Sequence, residues 1–258
     1  MGKKAKKTEK DEKKGGNKAK RTITNIILVI LLGVIAFSGW KIYNIMSAYS
    51  ADRNSYDEIS QAAQQGVFNG EIDFDALKEI NPDVVGWVYL KGTNIDYPIV
   101  KAYDNSKYLH TLFNGNAGGA GTLFTDAGTM DPFNQFSTVV YGHNMNDGSM
   151  FHNLRKFKDP DFVKDHGTFD LILLDGKYHL EVYAFLNVAS DSGIYRINVD
   201  GEDECQKFIN LINSQASYVA NMTLTPEDRI VLLSTCAYEF DNARYVIVGK
   251  MVPWEEQK

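Results

Sequence analysis

Residues 229–252 read RIVLLSTCAYEFDNARYVIVGKMV: two apolar runs rich in Val and Ile, separated by the turn-forming segment AYEFDNA. Short β-branched runs bounded by Asn and Asp predict strands, and a connection this short suits antiparallel neighbours. Six runs of the same texture precede them: VVGWVYL (84–90), NIDYPIV (94–100), GTLFTD (121–126), STVVYG (137–142), TFDLILL (168–174) and KYHLEVYAFLNV (177–188). Asp175-Gly176 is expected to be the two-residue hairpin turn between the last two. One helix is expected over 202–219, with Cys205, Phe208, Ile209 and Ile212 on one face. Eight short strands with one or two inserted helices predict a single mainly-β domain closed as a barrel, because closure removes sheet edges.

Upstream of Asn81-Pro82 the pattern is helical. Tyr56, Ile59 and Ala63 recur at intervals of three and four, and Asp73 is placed to cap a helix through Ala76, Leu77 and Ile80. Further back, residues 23–46 form a 24-residue apolar stretch, ITNIILVILLGVIAFSGWKIYNIM. As a helix it extends roughly 36 Å, enough to cross a hydrocarbon core of about 30 Å. Trp40 and Tyr43 suit the far interface. The Lys/Arg cluster before the span predicts a cytoplasmic N-terminus and an exterior for everything after about residue 47. The sequence thus divides into a basic cytoplasmic tail (1–21), a single-pass membrane anchor (22–46), a helical segment (47–80) and an extracellular barrel (81–258). A cleaved signal peptide is the alternative, since Ala48 and Ser50 stand before Ala51 where a peptidase reads small residues, but the apolar run is longer than a usual signal core.

Charge excludes one class of function. Residues 1–21 carry 10 basic and 3 acidic side chains, a net of +7, so the remainder carries 17 basic against 30 acidic, a net of −13. The tail is too poor in apolar residues to bury a core and is expected to be solvated. A nucleic-acid-binding domain needs its basic face on the folded part, so no nucleic-acid partner is expected. Two cysteines make neither a disulfide scaffold nor a structural zinc site. Asp126, Asp131 and Asp147 form no Asp-x-Asp-x-Asp-Gly loop, so no metal is expected. Trp87 and Trp254 are expected at the barrel surface.

Cys205, with apolar neighbours along its helix, reads as core. A disulfide to Cys236 in an oxidising exterior is the alternative. Cys236 differs, because it ends the strand RIVLLSTC and emerges at the barrel rim. Arg244 begins the following strand, which brings its guanidinium near the thiol. His143 follows STVVYG in the Gly- and Asn-rich loop GHNMNDGSM, again at a strand end. A thiolate is a nucleophile, an imidazole protonates a leaving amine, and a guanidinium holds an oxyanion, so the three form a coherent set for cysteine catalysis.

These segments resemble a sortase of class B: NPDVVGWVYLKGTNIDYPIV, YDNSKYL, GTLFTD, STVVYGHNMNDGSMFHNL and LSTCAYEFDNARYVIVGK. The resemblance covers Asn81 to Lys250. It implies an eight-stranded sortase-type barrel with N-terminal helices and one inserted helix before the cysteine strand, a place that 202–219 fills. It also implies catalytic roles for Cys236, His143 and Arg244, and a substrate-lining role for Ser234 and Thr235. No cofactor is implied. The implied reaction is cleavage of an LPXTG- or NPXTX-like sorting signal after Thr through a thioacyl-enzyme. A secreted protein is then transferred to an amine of peptidoglycan or to a pilin lysine. Departures from the pattern are the seven residues between Cys236 and Arg244, and Ala127-Gly128 after Asp126, where some relatives have Arg-Asn. A noncatalytic anchored barrel that binds peptide or cell wall, and a thiol hydrolase without transfer, are the alternatives.

Overall fold

The structure is a computed structural model that describes the backbone of residues 2–64 and 72–254, and side chains of residues 21–61 and 72–254. The chain divides into two compact units, Met1–Ala48 and Tyr49–Lys258. Helix α1 (Gly2–Gln64) begins in the first and ends in the second. The backbone of the basic segment is therefore helical where composition predicts a solvated tail. Lys, Ala and Glu are strong helix formers, a propensity that an argument from hydropathy leaves out. Within α1, Arg21–Gln61 contains a window of mean hydropathy 2.2, long and apolar enough to cross a membrane, and Ile26 to Ile35 present bare apolar side chains along it. Helix α2 (Phe74–Ile80) starts where expected, with the Asp73 carboxylate accepting from Ala76 N at 2.9 Å. The helical reading of 65–71, and that of the Ala63 side chain, lie outside the described residues.

Among the described residues the second unit holds nine strands: β1 (Val84–Tyr89), β2 (Asp96–Lys101), β3 (Leu123–Thr125), β4 (Ser137–Tyr141), β5 (Thr168–Leu173), β6 (Gly176–Ala189), β7 (Ala216–Val219), β8 (Ile230–Cys236) and β9 (Ala243–Pro253). Eight of them close a barrel in the order β5-β1-β2-β3-β4-β8-β9-β6, with β6 pairing back to β5. The pairs β2–β3 and β4–β8 are parallel. A short 3-10 stretch (Phe151–Lys158) and α3 (Pro160–His166) link β4 to β5, and α4 (Glu202–Gln215) precedes β7 and β8.

Two expectations need correction. The helix ends at Gln215, and Ala216–Val219 forms β7, an edge strand attached to β6. The hairpin turn is Leu174-Asp175, because Gly176 already pairs with Leu173. Trp87 packs as expected on the outer face of the barrel, level with Pro98 and Ile172; it is buried there, and its indole N–H donates to Asp96 at 2.7 Å, which keeps its one polar atom paired.

Residues of β8 alternate between two cores, which is what places the cysteine. Val231 and Leu233 point into the barrel with Tyr245 and Ile247 of β9. Ile230 and Leu232 point outward with Val246 and Val248, beneath Cys205, Phe208, Ile209 and Ile212 of α4. The period of two carries the outward face on through Ser234 to Cys236, and on β9 back from Val246 to Arg244. α4 covers the beginning of this face and leaves its rim to other residues.

Gly142 lets β4 turn into the His143 loop at close quarters. A Cβ there meets Leu123 Cδ2 at 2.3 Å and Phe151 Cδ2 at 2.6 Å, while its N–H donates to Ser234 O. Gly142→Ala is expected to cost about 1–3 kcal/mol, as overpacking does. Thermal denaturation checks this, at about 2–4 °C per kcal/mol for a domain of this size.

Asp83, Asp147 and Asp228 give stability an acid limit. Burial alone raises all three. Hydrogen bonds from Tyr108 and Lys107 to Asp83, from Ser149 and Arg53 to Asp147, and from Lys250 and Thr225 to Asp228 outweigh it, and the net shift of each is downward. A depressed carboxylate stabilises the fold above its unfolded value of about 3.9 and loses that contribution as pH falls through the lower folded value. The denaturation midpoint should therefore be insensitive to these groups above about pH 5 and fall below about pH 4; Asp83→Asn should flatten the acid limb.

Candidate active site

Cys236 and Arg244 are directly opposed in the β8–β9 ladder, and Tyr141 at the end of β4 is level with Ser234. The three strand ends therefore deliver Cys236, Arg244 and, two residues past β4, His143 to one rim. All three line a single cleft of about 290 Å³, together with Asn105, Leu109, Tyr141, Tyr195, Ser234 and Thr235 among others. Both cysteines are free; Cys205 is buried under α4, whereas Cys236 is half-buried and opens on the cleft.

Each group is held by its neighbours. His143 Nε2 lies 2.8 Å from the Leu109 carbonyl. A carbonyl only accepts, so Nε2 carries a proton in this contact and Nδ1 is the ring nitrogen left free of it. The ring also stacks on His110, with centroids 6.0 Å apart. Asn144 donates to the Cys236 carbonyl at 2.8 Å, tying the histidine loop to the cysteine strand. Arg244 Nη1 donates to the Ala243 carbonyl at 2.9 Å.

Ser234 is buried at the cleft floor, and its Oγ lies 2.8 Å from the Tyr195 hydroxyl. Thr235 is buried too, and its Oγ1 has no hydrogen-bond partner among the described residues. Tyr195 stacks on Tyr141, which donates to Asp126 at 2.9 Å; Asn105 donates to the same carboxylate. Burial pushes the Tyr195 phenol up to about 12, and burial and the Asp126 charge raise Tyr141 further. Both phenols stay protonated near neutrality.

The sequence brought forward Cys236, His143, Arg244, Ser234 and Thr235, and the structure places all five on this cleft. It gave no sign of Leu109, which acts through its carbonyl, or of Tyr195, which comes from the short 3-10 turn Gly193–Tyr195. Asn144 had a signal in its place beside His143. A thiol, an imidazole and a guanidinium facing one water-accessible groove can form, stabilise and break a thioester.

A sortase-domain family model matches residues 88–252. Sortase B of Listeria monocytogenes is 33% identical over 244 residues, covering 91% of this chain and 99% of that protein. Among solved structures, a Staphylococcus aureus sortase B–substrate complex superposes with a TM-score of 0.74 at 25% identity, covering 81% of this chain and all of that one. A sortase B complexed with triglycine superposes with a TM-score of 0.73 at 27% identity, over 80% of this chain and 99% of that one. The family match and the class B relatives, on a closed barrel with a cysteine at its rim, make this a cysteine transpeptidase. The chain belongs to the sortase family, and the relatives it resembles are of class B.

Proposed function

We propose that Cys236 is the nucleophile, Arg244 the oxyanion-binding group and His143 the acid and base of a sorting reaction. Cys236 as thiolate attacks the Thr carbonyl of an LPXTG- or NPXTX-like signal. Arg244 holds the oxyanion, and protonated His143 gives its proton to the amine as the C–N bond breaks. An acceptor amine then loses a proton to His143 and attacks the thioester, forming a new amide and releasing Cys236. Ser234 and Thr235 line the groove beside the acyl group.

The observation that carries this reading is the register pair Cys236–Arg244, with His143 on the same cleft. Donors are secreted proteins with a C-terminal sorting signal, and acceptors are amines of peptidoglycan or a pilin. The substrate and triglycine complexes of similar proteins support both halves. Residues 22–46 anchor the enzyme in the cell membrane with residues 1–21 cytoplasmic, 47–80 as a helical segment and 81–258 as the extracellular catalytic barrel. The apolar helix supports that placement.

The test is a panel of sorting peptides offered with and without triglycine, diaminopimelate and a lysine peptide, with products read by mass. The reading expects the amide product to outgrow the hydrolysis product as amine rises. Free acid alone at every amine concentration would make the protein a hydrolase.

A further inference from the structure

Asp52, Arg53 and Tyr56 lie on α1 in the second unit, outside residues 88–252 that match the family domain, yet they grip both segments that hold His143. On one side the Asp52 carboxylate accepts from Ala120 N at 3.0 Å, and the Tyr56 hydroxyl donates to the Gly121 carbonyl and lies 3.2 Å from Thr122 Oγ1. That segment is stitched to the stretch before it, Gly118 N to His110 O at 3.1 Å and Thr122 N to Tyr108 O at 2.9 Å. Between those two residues sits Leu109, the carbonyl partner of His143 Nε2. Gly121 has φ +58, and a Cβ there meets the Tyr108 carbonyl at 2.4 Å, so the floor under Leu109 is closely packed.

On the other side Arg53 Nη2 contacts Asp147 Oδ2 at 2.9 Å, at the tip of the loop that follows His143. The loop closes on itself: Phe151 N donates to His143 O at 2.9 Å, and Asp147 Oδ1 accepts from Ser149 N and Oγ. Asn94 donates to the Gly148 carbonyl, and Met150 N donates to the Tyr97 hydroxyl. Asp147 is mostly buried while Arg53 is more than half exposed. The loop can thus use the pair for orientation although the exposed Arg53 adds little to global stability, the Ser149 hydrogen bond being the larger cause of the lowered Asp147 pKa.

We propose that Arg53, acting through Asp147, is a positioning residue for His143, so that the helix preceding the barrel belongs to the active-site apparatus. This rests on the role proposed for His143 above. A loop free to tilt lets the imidazole leave the geometry in which proton transfer is fast, and small displacements at a reacting group are costly in rate.

The test uses the full chain in detergent micelles, with a sorting peptide and triglycine. Arg53→Ala is expected to lower the rate constant for acylation about five- to tenfold, with KM changed less than about twofold and little change in Tm. Arg53→Lys should recover most of the rate, Asp147→Asn should match Arg53→Ala, and the double variant should be no slower than either single one. If Arg53→Ala does not fold, Asp147→Asn carries the same comparison. Acylation at the wild-type rate in both single variants, or losses that multiply in the double one, overturns the proposal. His143→Ala separates the two levels: full turnover in that variant defeats the role of His143 itself, whereas its loss beside normal Arg53→Ala turnover defeats only the positioning.

Discussion

Cys236→Ala is expected to form no acyl-enzyme and to lose turnover by more than about 10⁴-fold, the scale on which removal of a covalent nucleophile acts. The fold should survive. Cys236 sits at the last position of β8, half-buried and facing a cleft, so the substitution deletes one sulfur from a rim and leaves no sealed cavity. The backbone contacts that hold the position, Asn144 to the Cys236 carbonyl and the ladder to Arg244, do not involve the thiol. Denaturation of the variant should therefore match wild type to within a few degrees, and intact-mass spectra with a sorting peptide should show the unmodified protein. Cys205→Ala is the contrasting case. That thiol lies in the core under α4 among Phe208, Ile209 and Ile212, so its removal should lower stability and leave acylation intact.

His143→Ala and Arg244→Ala are expected to slow the chemical step by about 10²–10⁴ and 10²–10³-fold respectively, with smaller effects on KM. The two should differ in character. Arg244 is opposite Cys236 in the ladder and faces the cleft, so Arg244→Lys, which keeps charge but loses the planar fork, should recover only part of the rate. For His143 the loss should be smaller for substrates whose leaving group needs no proton, such as an activated thioester that expels a thiolate. Single-turnover kinetics that show a change in binding alone would remove either residue from the chemistry.

The barrel was legible because its strands are apolar runs punctuated by Gly, Asn and Asp. In β8 and β9 the strand ends also showed where the site is, since Cys236 closes one run and Arg244 opens the next; the two cores of the structure then put both on the same outward face. Failures came where local signals are weak. Ala216–Val219 follows Gln215 with no Gly or Pro between, and its alternation between half-buried and exposed residues has no apolar face, so a helical reading runs straight through it. The hairpin moved by one residue because Asp-Gly names a turn without fixing which residues pair. Trp87 does lie on the outer face, but nothing in the sequence showed that it would be buried there with its N–H held by Asp96. At the site, side-chain chemistry was readable and support was not. The Leu109 carbonyl has no residue signature, and Tyr195 reaches Ser234 from a single 3-10 turn 39 residues away in sequence.

The most direct measurement is peptide mapping of the wild-type protein trapped with a sorting peptide in the absence of amine. A thioester of the peptide's N-terminal fragment, ending in Thr, on Cys236 and released by added triglycine is the expected result. A fragment carried on any other side chain, or product formed while Cys236 never becomes labelled, contradicts it.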